Sequence, residues 1–315
     1  MKQIFSVIFF ALMITIQSIG SEKQKIILDC DLGGDIDDAY AVALVLASPE
    51  FEVLGLVMDD GNTPGRAEVA CKMLYECGLE NIPVIVGEKT DDDIELQFSW
   101  SRDFDKLKPV SNNATDFIIS NLRKYPNEVI LFTVGPVTNI KSVLAKDPDV
   151  LKLAKHVYSM FGSFYRGYDL GPVPSNEWNV RANVAASKML ASSGAKITYI
   201  GLDVTMLVRL DEEYRDKLAM RNSPLTDALV SLQSLWGSRS HGYQTPVLHD
   251  ALAVAVVIWP DLITTRKAFV KVIDDGYTVI DESKEPNSEV ALTVKADEFT
   301  RRLVERLMHQ NLGRK

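Results

Sequence analysis

The sequence is short of cysteine, and it has no positive charge where its acidic residues are densest. Its 315 residues include three cysteines, Cys30, Cys71 and Cys77. An odd count in no recognisable framework excludes a disulfide-stapled scaffold. Cys71 and Cys77 fall in an expected helix, and Cys30 points to the opposite face of its strand from Asp29 and Asp31, so all three read as packing residues. Basic residues are outnumbered, 34 Lys and Arg against 43 Asp and Glu, for a net charge of −9. That balance argues against a nucleic-acid backbone or an anionic membrane surface as the main partner. Internal repeats and low-complexity linkers are also lacking. Between Lys25 and Arg66 there is no Lys or Arg.

In that same interval stands the most distinctive stretch, IILDCDLGGDIDDAYAVALVLA at 26–47. An apolar run (Ile26, Ile27, Leu28) ends in Asp29, Asp31, Asp35, Asp37 and Asp38, and an Ala/Val/Leu-rich segment of helical spacing follows. The pattern predicts a strand, a tight turn at Gly33-Gly34 and a helix. Aspartate before a helix is a common N-cap, and acidic residues complement the first turn, which accounts for Asp37 or Asp38. It does not account for Asp29 and Asp31 at the end of an apolar strand. Carboxylates packed in one concave site raise one another's pKa and repel strongly. A divalent cation answers that repulsion, and an all-oxygen donor set favours Ca²⁺ or Mg²⁺ over zinc.

A content of 46% hydrophobic and 24% charged residues suits a globular chain with a substantial core. Residues 1–20 stand apart. Lys2 precedes the apolar run IFSVIFFALMITI, and Ser18 and Gly20 are small residues placed for cleavage after Gly20. This predicts a signal peptide over 1–20 and an exported protein, periplasmic or secreted, with residues 21–315 as one domain. A retained membrane anchor is the alternative reading of the same run.

Strand and helix patterns alternate thereafter. Strands are expected at 51–58, 83–86, 129–133, 156–161 and 196–204, with β-like runs at 268–273 and 289–295. Helices are expected at 64–77, 113–124, 137–145, 180–193, 225–236, 251–258 and 297–310. Irregular stretches fall at 89–110, 162–176 and 237–247. The alternation predicts an α/β fold, a mainly parallel, Rossmann-like open sheet covered by helices on both faces. Such sheets carry their sites at the carboxyl ends of the strands.

Six segments together are specific: DCDLGGDIDDAYA at 29–41, DDGNTPGRA at 59–67, TVGPVTNI at 133–140, EWN at 177–179, GLDVT at 201–205 and LHDALAVA at 248–255. Their content and order resemble the nucleoside hydrolase family of the inosine–uridine-preferring type, across nearly all of residues 26–260. The resemblance implies calcium-dependent hydrolysis of the N-glycosidic bond of a ribonucleoside, giving free ribose and a nucleobase. It implies that Asp31 binds Ca²⁺ and takes the proton of the metal-bound water. Asp38 and Asp250 would be further carboxylate ligands, and Val134 would ligate through its carbonyl. Asp37 would grip the ribose hydroxyls, with Asn62, Glu177 and Asn179 as further sugar contacts. His249 would stand beside the leaving base, and Asp29 would support the others. A dimer or tetramer, and a role in purine or pyrimidine salvage, are implied as well. The chemistry suits these residue types independently: carboxylates stabilise an oxocarbenium-like transition state, and a cation lowers the pKa of water bound to it.

Several features depart from the family pattern. The turn before Asp37-Asp38 is two residues longer, which leaves Asp35 without a counterpart and expected to face solvent. Gly171 stands where an asparagine belongs, with Asn176 as an uncertain substitute. The histidine that some members place after the third strand is missing from 86–93. His241, Tyr243, Trp100, Phe164, Tyr165 and Tyr168 are candidates for the base side. His156 and His309 read as structural, and Asp59 and Asp60 as turn residues. Three other readings compete. A haloacid-dehalogenase-type phosphatase also has Asp-x-Asp after its first strand, but its downstream lysine and acidic pair are lacking. A calcium-dependent sugar-binding protein without turnover would not need Asp31. An EF-hand loop would need Glu where Tyr40 stands.

Overall fold

The computed structural model describes residues 22–238 and 245–314. The expected leader at 1–20, and His241 and Tyr243, lie outside the described residues. The central sheet is built from β1 (Gln24–Cys30), β2 (Phe51–Met58), β3 (Val84–Ile85), β4 (Val129–Thr133), β5 (His156–Met160) and β6 (Ile197–Ile200). After them come β7 (Ile263–Ala268), the two short strands β8 (Val270–Val272) and β9 (Thr278–Ile280), and β10 (Ser288–Val294). The order in the eight-stranded sheet is β3-β2-β1-β4-β5-β6-β10-β7. All neighbours run parallel except β7, which lies antiparallel to β10 at the edge. The winding therefore proceeds one way from β1 to β3 and the other way from β4 to β6, so the direction reverses between β1 and β4. Loops leaving adjacent strands part there and open a crevice at the strands' carboxyl ends.

Apolar runs make β1 and β4 central strands: Ile26, Ile27, Leu28 and Val129–Phe132 are almost fully buried. Side-chain alternation divides β1 between two cores. Ile26, Leu28 and Cys30 pack into one, with α1 (Asp37–Leu46) and α2 (Thr63–Glu76). Ile27 packs into the other, under α4 (Ala114–Lys124) and α5 (Thr138–Lys146), beyond the short α3 (Phe98–Ser101). All three cysteines are buried free thiols, as expected of packing residues. Among the described residues no helix is long and apolar enough to cross a membrane.

The structure departs from the sequence reading in four places. The helix expected at 180–193 is two, α6 (Trp178–Ala182) and α7 (Val184–Ala191), because Asn183 leaves the helical region and caps the second through Ala186 N–H. The strand expected to run to Val204 stops at Ile200, and α8 (Leu202–Thr205) follows at once. A helix with little apolar periodicity, α9 (Glu212–Arg221), precedes α10 (Pro224–Gly237). The run at 268–273 is shared between the end of β7 and the separate β8–β9 ribbon. The chain closes with α11 (His249–Ile258) and α12 (Ala296–His309).

Candidate active site

The crevice holds a cavity of about 530 Å³. Its floor is the segment after β1. Gly33 takes φ +107°, a conformation open to glycine, and a Cβ there would meet the Phe98 ring at 2.7 Å. The chain then turns directly into α1, so Asp37 and Asp38 occupy its first turn. Both carboxylates are almost fully buried, as is Asp250 in the first turn of α11. The two helices pack against each other, and Asp250 N–H donates to Asp37 Oδ2 at 3.3 Å across 213 residues. One oxygen from each of Asp37, Asp38 and Asp250 lies within 4.8 Å of the other two. Asp38 Oδ1 is buried with no hydrogen-bond partner. Burial and mutual repulsion hold all three carboxyls well above the usual carboxylate range.

Of the expected site residues, Asp38 and Asp250 are thus brought together. Asp37, expected at the sugar, completes the triad, because the α11 N-terminus draws its carboxylate toward Asp250. Asp31 lies outside the triad. Its Oδ1 would be 3.0 Å from a Cβ at position 135, so Gly135 leaves room for it. Burial pushes Asp31 up to about 6, and the nearby Arg66 charge opposes the rise. The Val134 carbonyl lines the same cavity and accepts from Asn179 Nδ2 at 2.9 Å. A carbonyl oxygen has a second lone pair.

Asp29 is fully buried and is absent from the residues lining the cavity. Its Oδ1 accepts from Asn139 Nδ2 at 2.8 Å, while Oδ2 is buried and unpaired. Asp59 is not a simple turn residue: it is fully buried and accepts from Thr138 and Asn139 N–H at the start of α5. Burial, with Asp31 and Asp60 nearby, carries it to about 7 against those two bonds. Asp60, at φ +53°, lines the cavity and accepts from the Thr90 and Thr138 hydroxyls.

Asn62, Glu177 and Asn179 line the cavity too, each fixed by a helix end. Asn62 caps α2 by accepting from Gly65 N–H. Glu177 caps α6, with Oε1 accepting from Asn179 N–H at 2.7 Å and Oε2 from Val180 and Gly162 N–H. Even so, burial raises Glu177 to about 7. His249 Nδ1 lies 2.8 Å from Thr205 Oγ1, and burial lowers the ring to about 4, so it is neutral at physiological pH.

The segment 89–110 folds over one side, bringing Asp91, Asp93, Glu95 and Phe98 to the cavity. Asp35 is exposed at the mouth, as expected, and is held by the Ile36 N–H and the Trp236 side chain. Tyr168, Trp178 and Trp236 provide aromatic surface there. Trp100 and Phe164 do not reach the cavity: Trp100 packs under Lys72, and Phe164 is buried against Tyr199. Tyr165 carries Arg266 over its ring outside the cavity. Gly171 and Asn176 also lie outside its lining. His156 packs on Tyr158 and bonds Thr198, and His309 bonds the Glu305 carbonyl, both structural.

Sequence reasoning missed the cavity residues Glu95, Phe98 and Trp236, and two residues that hold its turns. Arg66 reaches the acidic floor from α2, whereas the absence of basic residues between Lys25 and Arg66 suggested that no cation would. Asp203 is buried and accepts from Phe164, Tyr165 and Arg166 N–H, which holds the turn after β5. Its position in GLDVT was the available signal.

Comparison with known proteins identifies the family. The family model "Inosine-uridine preferring nucleoside hydrolase" matches residues 26–301. The chain belongs to the nucleoside hydrolase family and is an N-glycosidase. An uncharacterized protein of Schizosaccharomyces pombe is 30% identical over 90% of this chain and 99% of its own length. Uridine nucleosidase 1 of Arabidopsis thaliana is 28% identical over 83% of each chain. Among solved structures, a plant nucleoside hydrolase, PpNRh1, superposes with TM-score 0.80 at 25% identity, covering 91% of this chain and 99% of its own. A purine-preferring ribonucleoside hydrolase from Gardnerella vaginalis gives 0.77 at 25% identity, covering 90% and 98%. Family membership sets aside the phosphatase and EF-hand readings.

Proposed function

We propose that this enzyme hydrolyses ribonucleosides, uridine among them, in a calcium-dependent reaction that releases ribose. The observation that carries the metal dependence is the buried triad of Asp37, Asp38 and Asp250 with Asp38 Oδ1 unpaired, since buried carboxylates persist when paired or when they coordinate a cation. Ca²⁺ takes such oxygen donors, and Asp38, Asp250, Asp31 and the Val134 carbonyl are the set that would hold it. When bound, it supplies a water of lowered pKa.

The chain's own residues account for the rest of the reaction. Asp31, with its pKa drawn toward neutrality, takes a proton from the attacking water. Asp37, Asn62, Glu177 and Asn179 provide acceptors and amide donors for the ribose hydroxyls. The surrounding carboxylates stabilise positive charge developing at the anomeric carbon. Neutral His249 and the aromatic rim face the base. Attack by water without a covalent intermediate inverts that carbon.

Uridine is placed first because several relatives are named uridine nucleosidases. The test is release of free ribose from a panel of ribonucleosides, with Ca²⁺ and with a chelator. Ribose appears from at least one nucleoside and is lost on chelation; no ribose from any nucleoside in the presence of calcium would overturn the reading. We also place the mature enzyme outside the cytoplasm as a dimer or tetramer, on the strength of the 1–20 leader and the family resemblance. N-terminal sequencing of the exported protein and its mass in solution test both.

A further inference from the structure

Among the described residues lining the cavity, Arg66 carries the one permanent positive charge. It is 7% exposed, in the first turns of α2. Its hydrogen bonds go to three backbone carbonyls. Nε donates to Asp60 O at 2.8 Å, and Nη1 donates to Leu32 O at 3.1 Å and to Asp31 O. These acceptors belong to two different turns. One follows β1, carries Asp31 and runs into Asp37 and Asp38 at the start of α1; the other follows β2 and carries Asp60 and Asn62.

The surroundings are shaped for a flat guanidinium. A Cβ at Gly34 would lie 3.6 Å from Nη1, and one at Gly61 3.0 Å from Nη2. Asp60, whose carbonyl takes Nε, sits at φ +53°, in the left-handed region that a non-glycine residue keeps only when its surroundings hold it there. A planar fork of donors satisfies carbonyls in two directions at once, which a lysine ammonium on a flexible stem does not.

We propose that Arg66 is a positioning residue that clamps the cation-bearing turn after β1 to the sugar-contacting turn after β2, through its guanidinium geometry and not through charge alone. The proposal rests on the calcium-dependent ribonucleoside hydrolase reading. It acts through the placement of Asp31 and Asn62; Arg66 itself needs no contact with substrate.

The experiment uses the whole protein, stripped with chelator, and compares wild type with Arg66→Lys, Arg66→Gln and Arg66→Ala. Calcium affinity is read by calorimetry, kcat and KM on uridine by ribose release, and folding by thermal melting. Outer partners of metal ligands change affinity or activity by about 10- to 100-fold. Arg66→Lys is expected to weaken calcium binding and kcat/KM within that range although it keeps the charge. Millimolar guanidinium, but not methylammonium, is expected to restore part of the loss in Arg66→Ala. Arg66→Lys with both quantities within twofold of wild type overturns the clamp and leaves a charge effect only. Loss of the folded state in all three variants overturns it in favour of general fold support. A wild type that neither binds calcium nor releases ribose brings down the parent reading instead, and that measurement comes first.

Discussion

Asn179 Nδ2 donates to the carbonyl oxygen of Val134 at 2.9 Å and to that of Met160 at 3.1 Å, joining the ends of β4 and β5 at the cavity. One amide therefore fixes the carbonyl proposed as a cation ligand, from a side chain proposed as a sugar contact. Removing it leaves two buried carbonyls short of a donor, at a cost of about 1–3 kcal/mol for an unsatisfied group. Asn179→Ala is expected to lower kcat/KM on ribonucleosides by roughly 10- to 100-fold. Steady-state ribose release decides it; a change under twofold would show that Val134 is held without this bond.

Asp31 lies apart from the triad and near neutrality, so binding and proton transfer separate in its variants. Asp31→Ala is expected to abolish turnover while ribose still binds, because Asp37, Asn62, Glu177 and Asn179 remain. Ribose binding by calorimetry alongside a turnover assay checks both halves. Wild-type rates in that variant would disprove its role as base.

The aspartate burst, the places of the strands and the layered, mainly parallel sheet could be read because each rests on local pattern: apolar runs for buried parallel strands and carboxylates where such runs stop. Val129–Thr133 and Phe51–Met58 fall where the pattern put them. What escaped depended on local capping, on weak periodicity or on contacts across the chain. The break at Asn183 is a capping choice inside a helix-competent stretch. The helix Glu212–Arg221 has one buried residue, Leu218, so periodicity was silent. Arg66 was discounted by distance in sequence, although α2 folds it back over the turn after β1. The place of Asp37 in the triad depends on Asp250, 213 residues away.

Removal of calcium should make stability fall as pH rises. Glu177 and Asp59 are each raised to about 7 by burial. A carboxyl whose folded pKa lies above its unfolded value keeps its proton better in the native state. The native state then binds more protons between about pH 4 and 7, and stability declines across that window. The triad carboxyls, raised by burial and by one another, act in the same direction. Chelator-treated protein is expected to melt roughly 5 °C or more lower at pH 8 than at pH 5.5, and added Ca²⁺ should erase most of the difference. Melting curves at the two pH values, with and without calcium, test this; a chelated protein more stable at pH 8 contradicts it.

His249 offers the last test, because its position and its protonation point to different roles. It lines the cavity next to Asp250, where a leaving base could be protonated. Its ring nevertheless bonds the Thr205 hydroxyl and is lowered to about 4, by burial first and Arg209 second. A ring held near 4 in the free site carries little proton above pH 5.5, which argues against it as the acid that shapes a profile at neutral pH. His249→Ala is expected to reduce kcat/KM by about tenfold through lost contact with the base, to an extent that differs between purine and pyrimidine substrates. The pH dependence of kcat between 5.5 and 8 should keep its shape. Rates measured across that range on uridine and inosine decide the matter: disappearance of a limb in the variant would make His249 the proton donor after all.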